Sequence, residues 1–120
     1  MKQIILMRDD VGMGPGKMVA QGAHASVMPF VKQSDPGVYT RLNRWLTCDT
    51  GFTKVCLAVH SAEELLELID KAKAAGLPAY TITDEGRTVF NGVPTMTCGS
   101  IGPATKEELD PITGHLELLP

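Results

Sequence analysis

The 120-residue sequence holds no apolar run longer than about six residues. Its opening, Met1-Lys2-Gln3 and then Ile4-Ile5-Leu6-Met7 before Arg8-Asp9, is too short and too soon charged for a signal peptide or a membrane span. A cytosolic protein is expected, with no membrane partner. The three cysteines, Cys48, Cys56 and Cys98, make an odd count without a C-x-x-C pair, which excludes a disulfide framework and a cysteine zinc site. They read as reduced thiols packed as small apolar groups. The three histidines are scattered without metal-ligand spacing, so no metal is expected. There is no G-x-S-x-G elbow and no order of residues that builds a Ser-His-Asp triad. A hydrolase on this chain would use water as its nucleophile. Internal repeats, low-complexity runs and linkers are also missing.

What is there is an ordinary globular balance, 43% hydrophobic and 21% charged. A single domain over residues 1–120 is expected, large enough to bury a core without staples. The net charge of −3 argues against promiscuous nucleic-acid binding, but the charge is unevenly spread. Residues 1–60 carry seven Lys/Arg against four Asp/Glu, and residues 61–120 carry four against ten. Such segregation suits an anionic partner and equally suits an ordinary solvated surface.

The run from Gln3 to Arg8 reads as a strand buried on both faces, followed by a glycine-rich loop. From Lys17 apolar residues recur at three- and four-residue steps, predicting a helix that Pro29 kinks or ends. Asp35-Pro36 starts a second helix, to about Leu46, that buries Val38, Leu42 and Trp45. Phe52 to His60 is a second strand, and Ser61 with Glu64 forms a capping box before a third helix that Gly76 ends. Pro78–Thr83 and Thr95–Ile101 are strands three and four, a short helix covers Thr105–Asp110, and the alternating tail after His115 adds an edge strand or packs across the sheet. The order predicts a three-layer α/β fold: a four-stranded mixed β-sheet with helices on both faces, strands three and four antiparallel.

Two loops carry chemistry. Gly12-Met13-Gly14-Pro15-Gly16-Lys17 fails the Walker pattern, with Val11 and Met18 at the wrong places, and the dinucleotide fingerprint too. It still joins a strand to a helix with free amides and one ammonium, suiting a phosphate or a developing oxyanion; the alternative is a tight turn with a solvated lysine. The second loop, Thr83-Asp84-Glu85-Gly86-Arg87-Thr88, follows strand three and so shares the rim where parallel strands end. That rim would gather Asp9, Lys17, Asp84, Arg87 and Thr88, unless the second loop is only a polar turn with one salt bridge. His24, one helical turn beyond Gln21, is either a catalyst or a satisfied helix residue.

Motifs at these same boundaries resemble the second peptidyl-tRNA hydrolase family, typical of archaea and eukaryotes. They are Arg8-Asp9-Asp10, Met13-Gly14-x-Gly16-Lys17, Ala20-Gln21-x-Ala23-His24-Ala25, Asp84-x-Gly86-Arg87-Thr88, Thr97 leading into Ile101-Gly102-Pro103, and Thr113-Gly114-His115-Leu116. The resemblance spans nearly the whole chain. It implies hydrolysis of the ester between a peptide and the 3′ ribose of tRNA in the cytoplasm, without metal or organic cofactor, and it leaves a homodimer open. It implies Lys17, Asp84, Thr88 and Thr97 as catalytic residues, and Arg8, Asp9, Gly14, Gly16, Gln21, His24 and Arg87 as substrate-binding ones. Pro15 stands where the family commonly has a basic residue, which leaves Lys17 the loop's only cation. The rival expectation is a non-catalytic RNA-binding module on the same fold; Lys17 and Asp84 together favour the enzyme.

Overall fold

The structure is a computed structural model and describes residues 1–32, 35–48, 51–86 and 90–120. Eight elements follow in the order β1 (Lys2–Arg8), α1 (Pro15–Val31), α2 (Pro36–Thr47), β2 (Lys54–Val59), α3 (Ala62–Ala74), β3 (Ala79–Asp84), β4 (Thr95–Ala104) and α4 (Lys106–Thr113). The sheet order is β2-β1-β4-β3. β1 and β2 are parallel, and β4 runs antiparallel to both β1 and β3. The expected mixed sheet with helices on both faces is therefore present. Since β1, β2 and β3 all point the same way, their C-terminal ends share one edge.

Period-two alternation along β1 sends Ile4 and Leu6 to one face and Ile5 and Met7 to the other. Ile4 and Leu6 join Leu65, Leu68 and Ile69 of α3 and Leu109 of α4 in the main core. Met7 joins Met13, Ala25 and Cys98 under α1. Gly99 brings α3 close to the sheet: a Cβ there would stand 2.6 Å from the Tyr80 carbonyl and 3.1 Å from Ile69. Two buried glutamines tie α1 to the sheet. Gln3 of β1 donates to the Ser26 carbonyl at 3.0 Å and accepts from its hydroxyl at 2.7 Å, while Gln21 of α1 accepts from Thr97 of β4. α2 lies toward the other end of the sheet, with Val38, Leu42 and Trp45 packed against Met1 and Phe30.

Several boundaries differ from expectation. β2 begins at Lys54, because Phe52 has φ +62° and turns the chain before pairing starts. β4 continues to Ala104, since its last residues still pair with Lys2 of β1. α4 passes through Pro111 to Thr113, where Ile112 and Thr113 are buried, and α1 ends two residues after Pro29. Ser61 caps Glu64 as expected, but the Glu64 carboxylate accepts from the His60 amide instead of closing the box. The complete capping box is Thr105 with Glu108. The tail makes one antiparallel bridge, Leu118 to Leu57, along the free edge of β2.

Candidate active site

α1 begins at the end of the glycine-rich loop, with Gly14 as its cap and Pro15 in the first turn, and no side chain caps it. Lys17 therefore sits in the first turn, where the helix dipole disfavours a cation by a few tenths to about 1 kcal/mol. A carboxylate opposite would offset that, and Asp84, the last residue of β3, supplies it. Lys17 Nζ donates to Asp84 Oδ1 at 2.8 Å, and the two side chains are only 17% and 15% exposed. Asp84 Oδ2 accepts the Gly86 amide at 2.8 Å, and Gln21 Nε2 stands 3.5 Å from Oδ1. The lysine hydrogen bond first, then the Gly86 amide, hold the Asp84 carboxyl below the usual carboxylate range, so it is ionised at neutral pH.

This pair lines a cleft of about 240 Å³ together with Gln21, His24, Ile82, Thr83 and Glu85. His24 is exposed at its margin and Gln21 is buried. Thr97 is fully buried, its hydroxyl donating to Gln21 Oε1 at 2.6 Å. So the structure gathers Lys17, Asp84, Gln21, His24 and Thr97, with Thr97 behind Gln21 rather than at the surface.

Other expected residues go elsewhere. Arg8 donates through Nε and one terminal nitrogen to Asp10 and through the other to the Met96 carbonyl at 2.9 Å, with 12% of the side chain exposed. The guanidinium is thereby matched by a carboxylate. Asp9 turns to His60, 2.8 Å away, and that hydrogen bond raises the imidazole's pKa above its ordinary value. The expected joining of Asp9 to the Lys17–Asp84 pair is not among these contacts. Gly14 and Gly16 are exposed, with nothing within 4 Å of where a Cβ would stand; the loop glycine that the backbone itself requires is Gly12, at φ +77°. Arg87 and Thr88 lie outside the described residues.

Two residues outside the expected catalytic and substrate-binding set adjoin the pair. Gly86 adopts φ +80° and folds its amide back onto Asp84, a turn that Asp-x-Gly spacing signals. Phe90 places its ring 5.8 Å from Lys17 Nζ, and no spacing announced it.

Cys56 and Cys98 are poor nucleophiles. Burial pushes the Cys98 thiol up to about 11 and also raises Cys56, so both are protonated at neutral pH. Among the described residues no cluster of three or more His, Cys, Asp or Glu could hold a metal, and no helix is long and apolar enough to cross a membrane. A larger groove of about 560 Å³ on the β2 side of α1 is lined by apolar groups such as Ile5, Met18, Val27 and Phe30. It contributes one cation, Lys54, and no carboxylate, so it offers no acid–base pair.

The family model described as peptidyl-tRNA hydrolase PTH2 matches residues 1–119. Among curated proteins, the chain is 42% identical over 121 residues to the peptidyl-tRNA hydrolase of Methanocaldococcus jannaschii, covering 99% of this chain and all of that one. It is 46% identical over 119 residues to that of Halobacterium salinarum, covering 98% of this chain and 99% of that one. With that of Metallosphaera sedula it shares 42% identity over 120 residues, 99% of this chain and all of that one.

Proposed function

The chain belongs to the peptidyl-tRNA hydrolase PTH2 family, and we propose that the cleft around Lys17 and Asp84 is where it hydrolyses peptidyl-tRNA. The enzyme cleaves the ester between peptide and tRNA, adding water across the acyl–oxygen bond to release a peptide carboxylate and a free ribose hydroxyl. The observation that carries the site is the 2.8 Å pairing of Lys17 and Asp84 at the shared strand edge.

Attack of water on the ester carbonyl develops a tetrahedral oxyanion. Lys17 is the ammonium that stabilises it, with the Thr88 hydroxyl as a further donor. Asp84, already ionised, accepts a hydrogen bond from the attacking water and aims its lone pair at the carbonyl. A carboxylate held at low pKa is a weak base, so orientation is its main contribution until proton transfer accompanies bond formation. Gly14, Gly16 and His24 line the approach of the acceptor end, and Arg87 is assigned to bind it. The glycines leave room for a phosphate near the first amides of α1.

Peptidyl-tRNA arises in translation, which assigns the enzyme to the cytoplasm. We also propose a homodimer: Val19, Val27 and Val31 stand at four- and eight-residue steps along α1, 73%, 46% and 66% exposed, beside the apolar groove. Light scattering that gives twice the chain mass supports it, and a monomer removes it.

The test of function is incubation of purified protein with an N-blocked aminoacyl-tRNA, following free tRNA. Release in the wild type and its loss in Asp84→Asn are expected. tRNA binding without release would turn the reading toward a binding module.

A further inference from the structure

Thr97 and Gln21 form a pair that the chemistry above does not use. Thr97 has no exposed surface and Gln21 has 4%, so neither presents its polar group openly to a substrate. The Thr97 hydroxyl has one proton and three acceptors in reach, Gln21 Oε1 at 2.6 Å, the Ile82 carbonyl at 3.5 Å and Cys98 Sγ at 3.8 Å; the shortest contact takes it. The next residue of β4 grips the same glutamine, the Cys98 thiol donating to the Gln21 backbone carbonyl at 3.3 Å. A donor at Oε1 decides which end of the amide faces which way. It leaves Nε2 directed at Asp84 Oδ1, 3.5 Å away, the oxygen that also accepts from Lys17. With the amide turned over, an oxygen would face the carboxylate and repel it.

We infer that Thr97 and Gln21 are positioning residues, Thr97 acting through Gln21 to hold the Asp84 carboxylate in its working direction, an inference that rests on Asp84 serving the hydrolysis. Three donors then fix this carboxylate, from Lys17, Gly86 and Gln21. Thr97 is the buried anchor of the third.

The experiment compares Thr97→Ser, which keeps the hydroxyl, with Thr97→Val, which keeps the shape and loses it. Gln21→Glu is measured beside them, with kcat, KM, thermal midpoint and the side-chain amide signal of Gln21 by nitrogen NMR. Small misplacements of a reacting group cost up to about a hundredfold. Thr97→Val is therefore expected to lower kcat about ten- to a hundredfold with KM within about twofold. Thr97→Ser should stay within about threefold of wild type. The Gln21 amide signal should move in Thr97→Val and in Asp84→Asn, and hold in Thr97→Ser. If Thr97→Val does not fold, Gln21→Glu decides: it still accepts from Thr97 but turns an oxygen toward Asp84, so kcat should fall. Full activity in folded Thr97→Val, or in Gln21→Glu where Thr97→Val does not fold, overturns the relay. Full activity in Asp84→Asn instead overturns the assignment of the carboxylate itself.

Discussion

The Gly86 amide donates to Asp84 Oδ2 at 2.8 Å from a residue at φ +80°, a backbone state that L side chains rarely adopt. A Cβ there would also meet the Val93 backbone nitrogen at 2.6 Å. Gly86→Ala is therefore expected to lose both stability and turnover, because the loop must shift and release one oxygen of the carboxylate. Gly76→Ala is the control: its φ is +77°, nothing stands within 4 Å, and it terminates α3 away from the cleft. It should cost about 1 kcal/mol and leave kcat unchanged. Thermal denaturation and steady-state kinetics on both variants check this, and a Gly86→Ala enzyme with normal kcat would show that the amide does not matter.

A second expectation concerns salt. tRNA binding should weaken as ionic strength rises, the log of affinity falling by about 0.7 to 0.9 per phosphate contact. Arg8 is already matched by Asp10 and the Met96 carbonyl, so Arg8→Ala should lower stability and leave the salt slope nearly unchanged. Arg87→Ala should make the slope shallower by roughly one contact. Binding titrations at a series of potassium chloride concentrations separate the two, and an unaltered slope in Arg87→Ala takes that residue off the tRNA surface.

Much of this was legible in the sequence because local patterns and tertiary demands agree. Asp35 and Ser61 occupy the N-caps that their chemistry predicts, Gly76 follows the C-cap of α3 at φ +77°, and the apolar run after Lys2 forms a strand covered on both faces. The rim was legible too: parallel strands one and three had to end together, and Lys17 and Asp84 do meet. What spacing could not give was competition for partners. Arg8 and Asp9 adjoin the rim in sequence, yet Asp10 and His60 take them. The Gln21–Thr97 contact joins residues 76 positions apart, and no local pattern records which buried hydroxyl a glutamine will find. An aromatic beside a strand reads as part of it, whereas the Phe52 ring lies against Trp45, at 4.1 Å between centroids, outside the ladder.

A third prediction follows from the bridge between α2 and α4. Arg41 meets Glu108 through both terminal nitrogens, at 2.9 and 2.7 Å. That contact, ahead of the Thr105 amide, lowers the Glu108 carboxyl to about 2. A depressed carboxyl contributes stability above its unfolded value, near 4.3, and loses it as pH falls toward 2. With 35% of the Glu108 side chain exposed, screening limits the pair to about 1 kcal/mol. A double-mutant cycle of Arg41→Ala and Glu108→Ala should give a coupling of that size at pH 7 and a clearly smaller one at pH 2, where the carboxyl is about half protonated. Equal coupling at both would mean that packing, not charge, joins the helices.

The last prediction concerns the ion pair at the centre of the cleft. If Lys17 stabilises the oxyanion and Asp84 aims the water, each acts mainly after substrate is bound, so alanine at either position should lower kcat far more than it raises KM. Loss of one such donor costs on the order of a hundred- to a thousandfold. Since the two groups share one hydrogen bond and serve one transition state, the double variant should be little worse than the worse single one; independent roles would multiply. pH supplies a separate reading. The lysine is the foremost cause holding Asp84 below the ordinary carboxylate range, so the acid limb of wild-type kcat/KM should lie below that range. Lys17→Met removes that cause, and its residual activity should show an acid limb moved upward. Thermal midpoints measured alongside exclude simple unfolding. Single variants that turn over at the wild-type rate would remove both residues from the chemistry and leave Thr88 and His24 as its remaining candidates.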